Sequence, residues 1–286
     1  MSGASYLLCR WDSKAEPAPL IDMICLFPAL EELEIRQGFE VSVSSPPATA
    51  VLPRPLRRLE LVTTPFKTIR PFFAWLDAFG HLPNVDVVRL PRLKSEHDVL
   101  GARQILQQLG GAPQYLDIAL QHTTVVRTSS SLLPKLTRHT VNACTAFDLS
   151  LHPNLKELVI RDLSLRRFDF DRNRILLWLT SLAAPAFERL VLVGIDLMAL
   201  NQSFNWAAVD AFLCSERFPR LQGVLFHYQH TGHHCDNHAF LRETLPLLEA
   251  AGLLRKKWML TYRDTAALSK CSILGIEFAL TSVLGS

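Results

Sequence analysis

His152-Pro153-Asn154-Leu155-Lys156-Glu157-Leu158-Val159-Ile160 sets the reading of the whole chain. After the proline come an apolar residue, two others, an apolar residue, one other and a third apolar residue. The same apolar spacing returns at Leu30, Leu33 and Ile35, at Leu56, Leu59 and Leu61, at Val85, Val88 and Leu90, and at Phe187, Leu190 and Leu192. Two looser copies complete the set: Leu221, Val224 and Phe226 follow Pro219, and Leu116 and Ile118 keep the register with Pro113 in the first place. Because side chains alternate along a strand, each copy reads as one strand with its first, fourth and sixth positions turned inward.

Between the copies the apolar period lengthens to that of a helix. Leu20, Ile21, Ile24 and Cys25 share one helical face, and Phe27-Pro28 ends that helix. Ile69, Phe72, Phe73, Leu76 and Phe79 form the next inward stripe, closed by Gly80 and Pro83. Leu100, Ile105, Leu106 and Leu109 repeat it before Gly110-Gly111, and Ile175, Leu176, Trp178, Leu179 and Leu182 repeat it before Pro185. Trp206, Val209, Phe212 and Leu213 follow a capping Asn205. The last helix spans Ala239 to Ala251, where Pro246 marks a bend or a break.

The copies begin at positions 30, 56, 85, 113, 155, 187 and 221, a period of roughly 30 residues with one strand and one helix per unit. A single strand-helix unit cannot cover its own apolar face, whereas stacked neighbours can. The expected fold is therefore α/β: a leucine-rich-repeat-like solenoid, with a curved parallel sheet on one face and helices on the other. Its interior column would contain Leu33, Leu59, Val88, Leu116, Leu158, Leu190 and Val224. Three segments follow: residues 1–19 as an irregular lead-in, 20–257 as the solenoid, and 258–286 as a tail that either caps the last unit or stays disordered. The wide interval from Gln121 to Ser150 is either a long loop or an extra, degenerate unit.

Basic and acidic residues number 30 and 27, for a net charge of +3, and they are mixed along the chain. That balance argues against a nucleic-acid partner. The tail's apolar run is much shorter than a bilayer span, so no membrane partner is expected. Cys9, Cys25, Cys144, Cys214, Cys235 and Cys271 show no metal-type or disulfide-type spacing, and the N-terminus lacks a signal-peptide pattern. We expect an intracellular chain, cytoplasmic or nuclear.

The order and spacing of several short motifs resemble the leucine-rich-repeat region of the F-box-like protein family of mushroom-forming fungi. They are Phe27-Pro28-Ala29-Leu30-Glu31-Glu32-Leu33, Asp148-Leu149-Ser150-Leu151-His152-Pro153-Asn154-Leu155, Trp206-Ala207-Ala208-Val209-Asp210 with Phe218-Pro219-Arg220-Leu221, and Gly252-Leu253-Leu254. The resemblance covers about residues 20 to 257 and implies a substrate-recognition arc in a cullin-type ubiquitin ligase. Nothing before Leu20 is long enough for the family's F-box, so docking to the ligase adaptor is not carried over.

No Gly-rich phosphate loop, nucleophile elbow or metalloprotease helix pattern is present, and we expect neither catalysis nor a cofactor. The densest polar cluster, His227 to His238, has zinc-type ligands, but Gly232 opposes the helix that would align His230, His234 and His238, so the segment reads as a rim loop. Arg161, Arg166, Arg167, Arg172 and Arg174 are interleaved with Asp162, Asp169 and Asp171 and read as a solvated stretch. His81, His97 and His122 lie at element ends without an assigned role.

The candidate site is the outward side of the strands. Its fifth-position column reads Glu34, Glu60, Arg89, Asp117, Val159, Val191 and Leu225, turning from charged to apolar. Val193 extends the apolar part, and Glu157, Arg161 and Arg189 border it. An apolar centre rimmed by charge is how protein interfaces are built, and the expected partner is another protein of unidentified kind. The competing reading is that the tail or the 121–150 segment folds back over this row.

Overall fold

The computed structural model describes residues 6–10, 20–36, 53–62, 66–93, 96–119, 148–161, 178–195, 205–229 and 237–259. Among them, nine strands form one parallel sheet in chain order. The strands are β1 (Tyr6–Arg10), β2 (Glu32–Arg36), β3 (Arg58–Leu61), β4 (Val87–Arg89), β5 (Tyr115–Ala119), β6 (Glu157–Arg161), β7 (Arg189–Ile195), β8 (Gly223–Gln229) and β9 (Leu254–Met259). The helices are α1 (Leu20–Cys25), α2 (Phe66–Ala78), α3 (Glu96–Leu109), α4 (Trp206–Leu213), α5 (Asn237–Thr244) and α6 (Pro246–Ala250). Residues 178–180 are also helical. No helix among the described residues is long and apolar enough to cross a membrane.

The expected interior column is continuous. Leu33, Leu59, Val88, Leu116, Leu158, Leu190 and Val224 are register partners from β2 to β8, and all are buried. Leu7 and Leu254 extend the column at its two ends. These residues and the buried faces of the helices form one apolar cluster, so the helices cover this side of the sheet. That arrangement explains the uninterrupted Leu and Val: every unit must present an apolar residue there to close against its neighbours.

A recurrent turn sets the register. Before each of six strands, the N–H of the first inward residue donates to the carbonyl three residues back: Leu30 to Phe27, Leu56 to Pro53, Val85 to Leu82, Leu155 to His152, Phe187 to Ala184 and Leu221 to Phe218, at 3.0–3.2 Å. Two amides of each incoming unit then share one carbonyl of the preceding unit. Arg57 and Arg58 donate to Glu31, Asp86 and Val87 to Arg57, Gln114 and Tyr115 to Asp86, Lys156 and Glu157 to Gln114, and Glu188 and Arg189 to Lys156. Each of these five strands, β3 to β7, is thus tied to the previous one at its first residue.

The two histidines of the His-(Leu)-Pro-Asn turns belong to this joint. His81 Nε2 is 2.7 Å from the Leu56 carbonyl, and His152 Nδ1 is hydrogen-bonded to the Gly110 carbonyl. Both reach back to the preceding unit and satisfy a carbonyl at the turn. Gly80 and Gly110, with φ of 64° and 52°, end α2 and α3 in the left-handed conformation; Gly80 leads into the His81 turn, and Gly110 leads to β5 while offering its carbonyl to His152.

Several elements differ from expectation. The lead-in contains β1, which pairs in register with β2. β9 includes Trp258 and Met259, past the point at which the repeat pattern was expected to stop. Phe79 and Leu100 are exposed instead of inward. The buried stripe of α2 passes through Trp75, and that of α3 through Val99 and Ala102, because the helix phase puts those positions over the sheet. The last predicted helix is broken before Pro246 into α5 and α6. The break leaves N–H groups at the start of α6, and the buried Asp210 carboxylate on α4 accepts from Leu247 and Leu248 at 2.8 and 2.9 Å. β5 pairs directly with β6. Residues 120–147 of the wide interval and 260–286 of the tail lie outside the described residues, as do both readings offered for each.

Candidate functional site: the outer face of the sheet

Strand alternation places three parallel rows on the side of the sheet opposite the interior column. The central row runs Leu8, Glu34, Glu60, Arg89, Asp117, Val159, Val191, Leu225 and Arg255, each a register partner of the next. One flanking row runs Tyr6, Glu32, Arg58, Val87, Tyr115, Glu157, Arg189 and Gly223. The other includes Ala119, Arg161, Val193 and His227. The candidate residues Val159, Val191, Val193, Leu225, Glu157, Arg161 and Arg189 therefore share one face across β6, β7 and β8.

From β1 to the first residue of β7 this face is knitted by its own charges. Adjacent parallel strands bring register partners within side-chain reach, and opposite charges occupy those places. Arg58 contacts both carboxylate oxygens of Glu32 at 3.1 and 3.2 Å. Arg89 donates to Glu60 at 3.1 Å and lies 3.3 Å from Asp117, and Arg189 donates to Glu157 at 3.0 Å. The Tyr6 hydroxyl donates to Glu34. Arg161 grips both oxygens of Asp117, with Nε at 2.8 Å. That last contact is diagonal: Arg161 stands opposite Ala119, whose small side chain leaves room for the guanidinium to lean across.

Asp117 is the hub, with 1% exposure and an arginine from each neighbouring strand. Burial nonetheless pushes its carboxyl above the usual range, against the pull of Arg161 and Arg89. Burial likewise raises Glu157, against Arg189. The Tyr115 hydroxyl is pushed up to about 12, first by burial and then by the Asp117 and Glu157 charges. The free thiols of Cys25 and Cys214 are also raised, by burial and then by Asp22 and Asp210 respectively, away from the reactive thiolate. Among the described residues, no group of three or more metal-ligating side chains comes together. His230, His233, His234 and Cys235 lie outside the described residues, as do Arg166, Arg167, Arg172, Arg174 and His122.

The apolar part of the central row is less open than alternation alone predicts. Val159 and Val191 have 4% and 6% exposure, while Leu225 and Val193 are half-buried. By register, Val159 stands among Tyr115, Glu157, Arg161 and Arg189, all with longer side chains, which puts it on the floor of the face. Arg161 and Glu157 do not form a free rim, because both are engaged in ion pairs. Arg189 keeps 51% of its side chain exposed despite its bond to Glu157, and Arg255 is exposed beyond Leu225.

The sequence reading missed the Arg89–Asp117–Arg161 hub and the place of Gly223. The cross-strand alternation of Glu32 with Arg58, Glu60 with Arg89 and Glu157 with Arg189 was an available signal for the ion pairs. Compared with known proteins, the chain matches no protein-family model, no curated protein and no solved structure.

Proposed function

We propose that the chain is a leucine-rich-repeat-like solenoid that acts as a non-catalytic recognition module, binding another protein through the outer face of its sheet. Support comes from nine parallel strands in chain order and from the recurrent turn that joins successive units. The observation that carries the functional reading is the change along one register row: the interior side stays apolar throughout, while the outer side passes from paired charges to Val159, Val191 and Leu225 beside exposed Arg189 and Arg255. Half-buried Leu225 and Val193 above the buried valines, next to exposed arginine, have the composition of an interface.

The burial of Val159 and Val191 moves the diagnostic positions to Leu225 and Val193. Affinity capture with Leu225→Asp and Val193→Asp tests the reading. The expected result is a protein retained by the wild-type chain and lost by both variants at unchanged melting temperature. Full retention by both variants, or a fall in melting temperature in both, would reject the surface. Recovery of a ubiquitin-ligase adaptor in the same experiment would narrow the function to substrate reception, as the family resemblance implies.

A further inference from the structure

We propose that the β7–β9 end of the outer face takes an acidic, leucine-bearing segment of a partner protein, with Arg189 and Arg255 as charged contacts and Leu225 and Val193 as the apolar floor. This rests on the reading of that face as a recognition surface and names the chemistry of its ligand. Among residues with described side chains, the outward positions of β7, β8 and β9 are Arg189, Val191, Val193, Gly223, Leu225, His227 and Arg255. None is acidic, whereas β2, β3, β5 and β6 each carry a carboxylate on the same face. Arg255 pairs with no carboxylate among the described residues. Arg189 gives one Nη1 hydrogen bond to Glu157, and a guanidinium has five donors, so it can accept a second carboxylate.

Gly223 explains how Arg255 is held. It lies on the outer face, yet it is buried, and a Cβ built on it would sit 3.3 Å from Arg255 Cγ. The absent side chain is the space across which the arginine stem lies, so the stem is braced against β8 while the cation reaches water. A braced arginine loses less freedom on binding a carboxylate than one extended into water. A nucleic-acid ligand fits less well, since such sites gather many phosphate contacts or stacking aromatic rings, and these outward positions contain no aromatic ring besides the His227 imidazole.

Fluorescence anisotropy with a labelled peptide of equal glutamate and leucine content tests the proposal, with a lysine–leucine peptide and a single-stranded oligonucleotide as comparisons. The acidic peptide is expected to bind more tightly than either, and the affinity is expected to fall with added salt. Arg255→Glu is expected to weaken binding about tenfold or more. Gly223→Ala, which crowds the arginine stem, is expected to weaken it by a smaller factor at unchanged melting temperature. Arg54→Glu, in the turn before β3, is expected to leave it unchanged. If Leu225→Glu abolishes binding and Arg255→Glu has no effect, the acidic ligand is wrong while the recognition surface stands. If neither variant matters, both readings fail. Absence of binding, or equal binding of the oligonucleotide or the basic peptide, overturns the acidic segment.

Discussion

The outer face has two halves built on one backbone register and filled in opposite ways. On β2–β5 the central row is Glu34, Glu60, Arg89 and Asp117, and these charges are answered by Tyr6, by one another and by Arg161. On β6–β9 the same row is Val159, Val191, Leu225 and Arg255, with Arg189 exposed beside it. The interior column does not change between the halves, because the helices must be met by an apolar residue in every unit. The outer row is released from that demand, so its composition reports what each part of the face does. Where charges saturate one another they fix neighbouring strands together. Where apolar residues stand beside exposed cations, we propose that the face meets a partner.

The comparison breaks first if the interior column is not the common support. Leu158→Ala opens a cavity at the centre of the sheet and is expected to destabilise the fold by about 2–5 kcal/mol, read from urea unfolding. A change under about 0.5 kcal/mol would remove Leu158 from the core. Next in size is the charged hub. Asp117→Ala removes the carboxylate shared by Arg89 and Arg161, and because both arginines reach water the expected loss is about 1–3 kcal/mol, less than for a fully buried pair. An equal loss for Leu225→Ala would erase the distinction between a structural and a recognition half.

A third test uses acid. Burial holds the His152 imidazole below its ordinary value of 6.5, outweighing the Gly110 hydrogen bond and the Asp148 charge. Its folded pKa is depressed, so below 6.5 the unfolded chain binds the proton first. Stability should fall as pH drops from 6.5 through the folded value and level off below it. The gap in urea midpoint between wild type and His152→Gln should therefore narrow on mild acidification, and a constant gap would show that His152 does not titrate in the joint. The smallest effect is expected at Arg58, whose ion pair with Glu32 is partly exposed. Arg58→Ala should cost about 0–1 kcal/mol in the same unfolding assay, and that cost should shrink with added salt, which screens the pair in the wild type.

The interior of the fold was legible because burial enforces a period. Leu33 to Val224 could be aligned from spacing alone, and the structure keeps that register. The two end strands were not, for identifiable reasons. Tyr6-Leu7-Leu8-Cys9-Arg10 is short and passes at once into charged residues. Leu254-Arg255-Lys256-Lys257-Trp258 interrupts the alternation with consecutive cations. On the outer face, alternation gave the identities of the row and nothing of its depth. That Val159 lies low depends on the height of its neighbours, and that Arg161 leans to Asp117 depends on the small Ala119 opposite it, a pairing that spans the widest interval between copies. Gly223 reads in sequence as a weak point in a strand; its role is visible only where the Arg255 stem lies across it.

The central claim is that recognition belongs to the β7–β9 end of the outer face and not to the charged end. A photo-crosslinking residue placed at position 193 and, in a second chain, at position 60 tests this in one measurement, with melting temperatures checked to match the wild type. A specific protein adduct at position 193, suppressed by Arg255→Glu, and none at position 60 is the predicted result. An adduct at position 60, or at neither position, would contradict the account.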